Sequence, residues 1–479
     1  MVPVPGVSQA SVGSCGMPSA GPASLLVLSN RGPLSFKQAA DGQLEARRAP
    51  GGLATTLGPG VEKHEAVWVA AAISDADRAA ATAGVVEAEG FRLRSLVIEP
   101  DRYRMYYDVI TNQTLWFLQH GLWDHPRRPR FDRKWWQAWD AYVAVNHLFA
   151  SAAAEQAAEG ATVLIQDIHL TLVGGQLARL RPDLRTAAFI HTPFCTPSEL
   201  DVLPPDAANA LLLGLATAGS CGFHTARWAA AFEACCQERL GRVPPTFVAP
   251  AAPDADDLAS VARSDSCEDE LRRLEDQLRD RRLIVRVDRI ELSKNLLRGF
   301  YAFDDLLETR PSLRGRVVFG AFVYPSRETL AEYLGYRQEV ESLVRNINAR
   351  WATPDWTPVL LDTVDNYPRS IAALRRYDVL LVNPMRDGLN LVAKEGPLVN
   401  ERDGVLALSR GAGAWDELGP HAAEAHPYDI RATSDALLAA LELPADERAG
   451  RAGALRKAAG ARTPLEWFAE LVGAARQST

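Results

Sequence analysis

The sequence predicts an α/β protein with two doubly wound domains in succession, each built on a mostly parallel sheet. Three observations carry that expectation. Short apolar runs bounded by polar loops alternate with stretches of helical periodicity along most of the chain. The alternation lapses over residues 250–282, which are rich in Ala, Asp and Arg and read as a connection with a polar helix, and then restarts. Length agrees, because 479 residues exceed what one core ordinarily fills and suit two domains. The expected divisions are a flexible tail over 1–24, an N-terminal domain over 25–250, a C-terminal domain over 251–455, and a closing helical segment over 456–479 that packs back on the first domain.

The opening Gly/Pro/Ser/Ala-rich stretch lacks a basic n-region and a clear h-region, so it reads as a tail and not as a secretory signal. Strand signals follow at Leu25–Leu28, Val67–Val69, Val163–Ile165 and Ala187–Ile190. Between Trp135 and Ala154 apolar residues recur at helical spacing, and Trp136, Trp139, Tyr142, Val143 and Leu148 are taken as one core stripe. The second half restarts with Leu283–Val285, Val317–Phe319, Val359–Leu361, Val379–Val382 and Val405–Leu408. Leu296, Phe300, Phe303 and Leu307 form one apolar helix face between the first two of these. Thr463-Pro464 opens a last helix, with proline in its tolerated first turn.

Composition narrows the function classes. Hydrophobic content of 47% and charged content of 23% are those of a soluble globular enzyme, and a net charge of −8 argues against a general nucleic-acid binder. No apolar run is long enough to cross a bilayer, so no membrane partner is expected. The six cysteines (Cys15, Cys195, Cys221, Cys235, Cys236, Cys267) show neither a metal-ligand spacing nor a disulfide framework. Cys235 and Cys236 read as half-buried thiols, and a reducing cytoplasm fits.

The segment over residues 377–400 is the most informative. The apolar run Val379–Val382 ends at Asn383-Pro384, a polar loop Arg386-Asp387-Gly388 follows, and Asn390-Leu391 leads into a helical pattern through Glu395. A buried strand feeding a helix N-terminus offers free backbone N–H groups and a favourable dipole to a phosphate. Asp387 and Glu395 add carboxylates suited to sugar hydroxyls, and together these describe a nucleotide-sugar site.

Other strand-to-helix loops supply matching chemistry. Arg289 and Lys294 follow the first strand of the second half, where two cations beside a helix start can hold a diphosphate. Ser29-Asn30-Arg31 ends the first strand of the chain, and Gly51-Gly52 opens the next helix, letting backbone approach a ligand. Asp167, His169 and His191 lie at carboxyl ends of strands, where ligands of doubly wound sheets bind. Tyr107, Trp116 and Arg327 taken singly are an ordinary core tyrosine, a core tryptophan and a surface arginine.

Together, these segments resemble the trehalose-6-phosphate synthases, retaining glycosyltransferases of family 20 with the GT-B arrangement of two Rossmann-like domains facing a deep cleft. The likeness runs from SNRGPL to DGLNLVAKE and on to VLALSRGAGAWDEL. It implies that the acceptor sugar phosphate, that of glucose 6-phosphate, meets Arg31, Tyr107, Trp116 and Arg327. The donor diphosphate would meet Arg289, Lys294, Gly51, Gly52 and the amides around Asn390 and Leu391. Asp387 and His191 would hold donor glucose hydroxyls, Glu395 the ribose, and Asp167 would face the reacting sugars. Trp68 is given a packing role. The resemblance implies no metal and no cofactor, the nucleotide sugar being a substrate, and leaves homo-oligomerisation open.

Two departures matter. The cationic loop reads Arg289-Ile290-Glu291-Leu292-Ser293-Lys294 where the family more often has Leu-Asp-Tyr in the middle. The segment from Glu395 to Asp403 resembles the pseudo-glycosyltransferases that make validoxylamine phosphate from a GDP-linked cyclitol, yet the Ser29-Asn30-Arg31 opening that this branch lacks is intact. The expectation is therefore a true glucosyltransferase, with GDP-glucose favoured over UDP-glucose. The alternatives are that pseudo-glycosyltransferase chemistry, a catalytically silent sugar-phosphate sensor, and on fold alone a polymer-building synthase.

Overall fold

A computed structural model describes residues 21–39, 42–49 and 52–477. The chain divides into two compact units. The first comprises Met1–Gln119, Trp123–Ala249 and Pro464–Thr479; the second comprises His120–Leu122 and Pro250–Thr463.

In the first unit the strands are β1 (Ala23–Leu28), β2 (Leu34–Gln38), β3 (Leu44–Arg48), β4 (Val67–Ala71), β5 (Val85–Ala88), β6 (Phe91–Leu96), β7 (Ala157–Gln166), β8 (Arg185–Ile190), β9 (Ser220–Phe223) and β10 (Thr246–Val248). Eight of them form one sheet in the order β10-β9-β8-β7-β1-β4-β6-β5, parallel except where β5 meets β6. β2 and β3 form a separate hairpin. The order reverses at β1, which lies between β7 and β4. That reversal is the switch point at which doubly wound sheets open a crevice.

The second unit carries β11 (Arg282–Ile290), β12 (Val317–Pro325), β13 (Val359–Asp362), β14 (Val379–Val382), β15 (Val405–Leu408) and β16 (Ala423–Glu424). Its all-parallel order β13-β12-β11-β14-β15-β16 is the dinucleotide-fold order, reversing between β11 and β14. The strands read as continuous apolar runs because helices cover both faces, and β14 and β15 are buried at every position. Leu296, Phe300, Phe303 and Leu307 are all fully buried on helix Leu296–Thr309.

Several expectations need correction. Strand β1 starts at Ala23, inside the stretch expected to be a tail, while residues 1–20 of that stretch lie outside the described residues. Residue 456 falls inside helix Ala445–Ala459, and the helix that closes the chain is Pro464–Arg476. It buries Trp467 and Phe468 within the first unit, where Trp467 Nε1 donates to Ala249 O at 2.9 Å. On helix Arg133–Gln156 the buried stripe is Trp135, Ala138, Trp139, Tyr142, Val145 and Phe149, while Val143 and Leu148 face outward. Trp139 and Tyr142 of the expected stripe are thus buried and Trp136 packs against the core, and only its other two members lie off the buried face. Cys235 and Cys236 are fully buried, not half-buried, on helix Ala226–Leu240. Cys15 and Gly51 lie outside the described residues.

Candidate active site

At the second unit's switch point, β11 ends in alternating charges. Arg286 and Asp288 point to one face of the strand, fully inside the protein, and Arg286 Nε donates to Asp288 Oδ2 at 3.0 Å. Arg286 Nη2 also bonds Lys294 O at 2.7 Å and Asn383 Oδ1 at 2.8 Å, tying the end of β14 to the turn Leu292–Lys294. Lys294 then reaches Asp387 Oδ2 at 2.6 Å, with Asp288 Oδ1 at 3.8 Å. Cation, anion, cation and anion form one chain.

Burial alone would neutralise Asp387, yet the Lys294 ammonium holds its carboxyl below the ordinary value. Burial likewise opposes the charge on Lys294, and Asp387 and Asp288 together keep that ammonium charged to higher pH than usual. For Asp288 burial wins and the carboxyl is raised, despite Arg286 and Lys294.

The loop carrying Asp387 is pinned on both sides. Asp387 N donates to Gly411 O at 2.9 Å, and Gly413 N returns a bond to Asp387 O at 3.2 Å. Gly413 cannot carry a side chain there, since a Cβ would lie 1.9 Å from Gly388 O. Asn390, at φ 80°, donates to Asp387 Oδ2 at 3.1 Å while its side-chain oxygen accepts from Ala393 N. One amide at the start of helix Val392–Val399, that of Ala393, is thus already capped.

Glu395 projects from the first turn of that helix. Burial, reinforced by Asp257, raises its carboxyl to about 7 against the pull of Lys294. Arg289 lies next to the end of β11 and acts electrostatically on Glu291 and Lys294. Arg327, at φ 50°, is no surface arginine: its guanidinium pairs with the fully buried Glu291, which also accepts from Tyr333 Oη at 2.6 Å. Burial would raise Glu291, and Arg327 and Arg289 keep it below the usual range.

The first unit's switch point is organised differently. Ser29 Oγ donates to Arg31 O at 2.6 Å and accepts from Trp68 Nε1 at 2.7 Å, so the fully buried Trp68 braces the loop that presents the exposed Arg31. Gly52 opens helix Gly52–Lys63 and is exposed. Tyr107 and Trp116 lie on Met105–Trp116, which is wound as a π-helix, a conformation concentrated at functional sites. Tyr107 is stacked between Tyr103 at 5.4 Å and His169 at 5.8 Å. His169 in turn has Nδ1 3.7 Å from Asp167 Oδ2. Trp116 is partly buried against the same core.

Asp167 has φ 70° and ψ 174°, a region that side chains rarely occupy and that costs of order 1–3 kcal/mol. Its carboxylate accepts from His191 N at 3.2 Å. His191 has both ring nitrogens engaged, Nε2 with Gln166 Oε1 at 2.9 Å and Nδ1 with His224 Nε2 at 3.2 Å. Sequence reasoning missed Arg286, Asp288, Gln166 and His224. For the first pair a signal existed, namely two opposite charges two residues apart within an apolar strand.

Within the second unit Arg289, Lys294, Asp387, Asn390, Leu391, Glu395 and Arg327 surround one switch point. Within the first, Arg31 and Asp167 follow β1 and β7 at the other, His191 follows the neighbouring β8, Tyr107 stacks on His169, and Trp116 ends the π-helix against the core. Among the described residues no group of three or more His, Cys, Asp or Glu is placed to hold a metal ion. No helix among the described residues is long and apolar enough to cross a membrane.

The model of glycosyltransferase family 20 matches residues 23–477. A trehalose-6-phosphate synthase of Mycobacterium sp. (strain JLS) is 34% identical, the match covering 91% of this chain and 93% of the relative. Among solved structures, the E. coli trehalose-6-phosphate structure bound with UDP-2-fluoro glucose has a TM-score of 0.83 at 26% identity, covering 95% of this chain and 99% of its own. A UDP-forming alpha,alpha-trehalose-phosphate synthase from Burkholderia xenovorans in complex with glucose-6-phosphate has a TM-score of 0.81 at 26% identity, covering 94% of this chain and 100% of its own.

Proposed function

The chain belongs to glycosyltransferase family 20, and on that premise we propose that it transfers glucose from a nucleotide diphosphoglucose to glucose 6-phosphate with retention, giving trehalose 6-phosphate. The observation that carries this reading is the Lys294–Asp387–Asn390 arrangement at the β11/β14 switch point. A buried ammonium, a carboxylate and a helix start converge there, as a sugar diphosphate requires.

In this reading Arg289, Lys294, Gly51, Gly52 and the amides at Asn390 and Leu391 receive the donor diphosphate. Asp387 and His191 hold the donor glucose, Glu395 meets the ribose, and Asp167 faces the reacting sugars. Arg31, Tyr107, Trp116 and Arg327 take the acceptor phosphate, two guanidiniums being suited to fork a dianion. Glu291 then keeps Arg327 oriented between turnovers.

The chemistry asks for no nucleophile from the protein. The bond from the anomeric carbon to the diphosphate loosens into an oxocarbenium-like state, and the acceptor hydroxyl attacks from the face the diphosphate leaves. The departing phosphate oxygen takes the hydroxyl proton, so the anomeric configuration is retained. Arg289, Lys294 and the helix start stabilise the charge that develops on the leaving group, and accurate placement of the acceptor supplies the remainder. Cations from the side chains make a metal unnecessary.

For the base we favour GDP-glucose, on the Glu395–Asp403 likeness to GDP-using relatives. The two solved relatives above point the other way, one holding a UDP sugar and one being UDP-forming. A side-by-side rate comparison with GDP-, UDP- and ADP-glucose and glucose 6-phosphate tests both levels. A disaccharide phosphate with GDP-glucose fastest supports the whole reading. A faster UDP-glucose rate overturns the base preference alone, and no disaccharide phosphate with any donor overturns the transfer itself.

A further inference from the structure

Three neighbouring parallel strands, β7, β8 and β9, run outward from the first unit's switch point, and each delivers one side chain from its carboxyl end to a short chain of hydrogen bonds. Gln166 is the last residue of β7, His191 the first after β8, and His224 the first after β9. Their register fixes the order Gln166–His191–His224. Gln166 is fully buried and His224 nearly so, while His191 is partly exposed. Only the middle member can touch a ligand.

We infer that Gln166 and His224 are positioning residues that lock His191 as a neutral imidazole with its proton on Nε2. The hydrogen-bond roles follow from the partners. Gln166 Oε1 accepts, so the His191 nitrogen 2.9 Å away must carry the hydrogen. His191 Nδ1 is then a bare acceptor, and His224 Nε2, 3.2 Å from it, must donate. Gln166 Nε2, the amide's other end, has no hydrogen-bond partner among the described residues.

The surroundings favour the uncharged ring. Phe189 lies 5.0 Å from His191 and 4.9 Å from His224, and Trp467 lies 6.0 Å from His191, all between ring centroids. Burial lowers the pKa of His191, and Asp167, which accepts from its backbone, opposes that only in part. The inference rests on the transfer reading above for its purpose. Positive charge develops on the sugar in an oxocarbenium-like state, and an imidazolium beside it would oppose that charge. A ring that is both fixed and neutral does not.

Nitrogen–proton correlation NMR on protein labelled at histidine, without substrate, reads the tautomer directly, and kinetics with each variant read its use. The expected spectrum has His191 protonated at Nε2 and bare at Nδ1. His224→Gln, whose amide still donates, keeps that pattern. His224→Leu, which removes the donor, loses it and lowers kcat about tenfold, with acceptor KM changed by less than about twofold. Gln166→Glu keeps an acceptor but adds a charge, so the His191 midpoint rises by about 1–3 pH units and the pH–rate profile gains an acid limb at the new midpoint. A merely structural role would move neither.

A His191 proton on Nδ1, or a tautomer indifferent to His224→Leu, overturns the inference even if trehalose 6-phosphate forms normally. The expected tautomer with no disaccharide phosphate product overturns only the transfer reading.

Discussion

The two switch points sit at the reversal of similarly ordered sheets but are held together by opposite means. In the second unit, charge does the holding: Arg286, Asp288, Lys294 and Asp387 form a chain of buried ion pairs, and Arg327 with Glu291 forms another pair. In the first unit ion pairs give way to a hydrogen-bonded Gln166–His191–His224 row and a Tyr103–Tyr107–His169 stack, with the single carboxylate of Asp167 beside both and Arg31 exposed at the loop. Buried charge strengthens every interaction with a departing anion but tolerates no missing partner. A neutral network positions groups without repelling a cationic transition state. One fold has been fitted to two electrostatic tasks.

Breaking the charged side should have the largest effect. Lys294→Ala removes the ammonium assigned to the leaving group and strands Asp387, so kcat/KM should fall about 10²–10³-fold and stability by about 3–5 kcal/mol. Steady-state kinetics and thermal unfolding read both. A variant with near-normal kcat/KM would take Lys294 out of the donor site.

A smaller effect separates the two substrates. Arg327→Ala should raise the KM for glucose 6-phosphate about 10–100-fold, the worth of a charge-assisted hydrogen bond, and leave the donor KM within about threefold. The reverse pattern would move Arg327 to the donor side of the chemistry.

Glu395 supplies a titration. Its folded-state value of about 7 lies above the ordinary 4.5, so the charged form is penalised in the folded protein. That penalty is absent below pH 4.5, grows as pH rises between the two values, and is constant above pH 7. Glu395→Gln should therefore stabilise the protein by up to about 3 kcal/mol at pH 8 and change little at pH 4. If the ionised carboxylate receives the ribose hydroxyls, donor KM in the parent protein should fall as pH rises through 7, and the glutamine variant should flatten that dependence. A donor KM insensitive to pH in both proteins would release Glu395 from the ribose. Smallest of all, a chelator should leave the rate unchanged, and a large loss would show that side-chain cations do not suffice.

Legibility in the sequence followed the same division. β11, β12, β14 and β15 were readable because helices bury both their faces and leave continuous apolar runs. β9 (SCGF) and β10 (TFV) are too short to stand out, and in β6 (FRLRSL) the arginines break any continuous apolar run, so none matched the pattern that marked the other strands. Lys294 and Asp387 were findable as charges in strand-to-helix loops, whereas Arg289, expected just after the strand, is the last residue but one of β11 itself. Gln166 and His224 were not, because their meaning comes from which strands are neighbours, and β9 had gone unseen. The π-helix Met105–Trp116 escaped for a related reason: its wider winding leaves no periodicity separable from an ordinary helix over so few residues.

The most direct measurement of the central claim is the anomeric configuration of the product formed from nucleotide α-glucose and glucose 6-phosphate, read by proton NMR. Cationic capture of the leaving diphosphate with attack on the same face predicts an α,α-linked disaccharide phosphate. A β-linked product would contradict it.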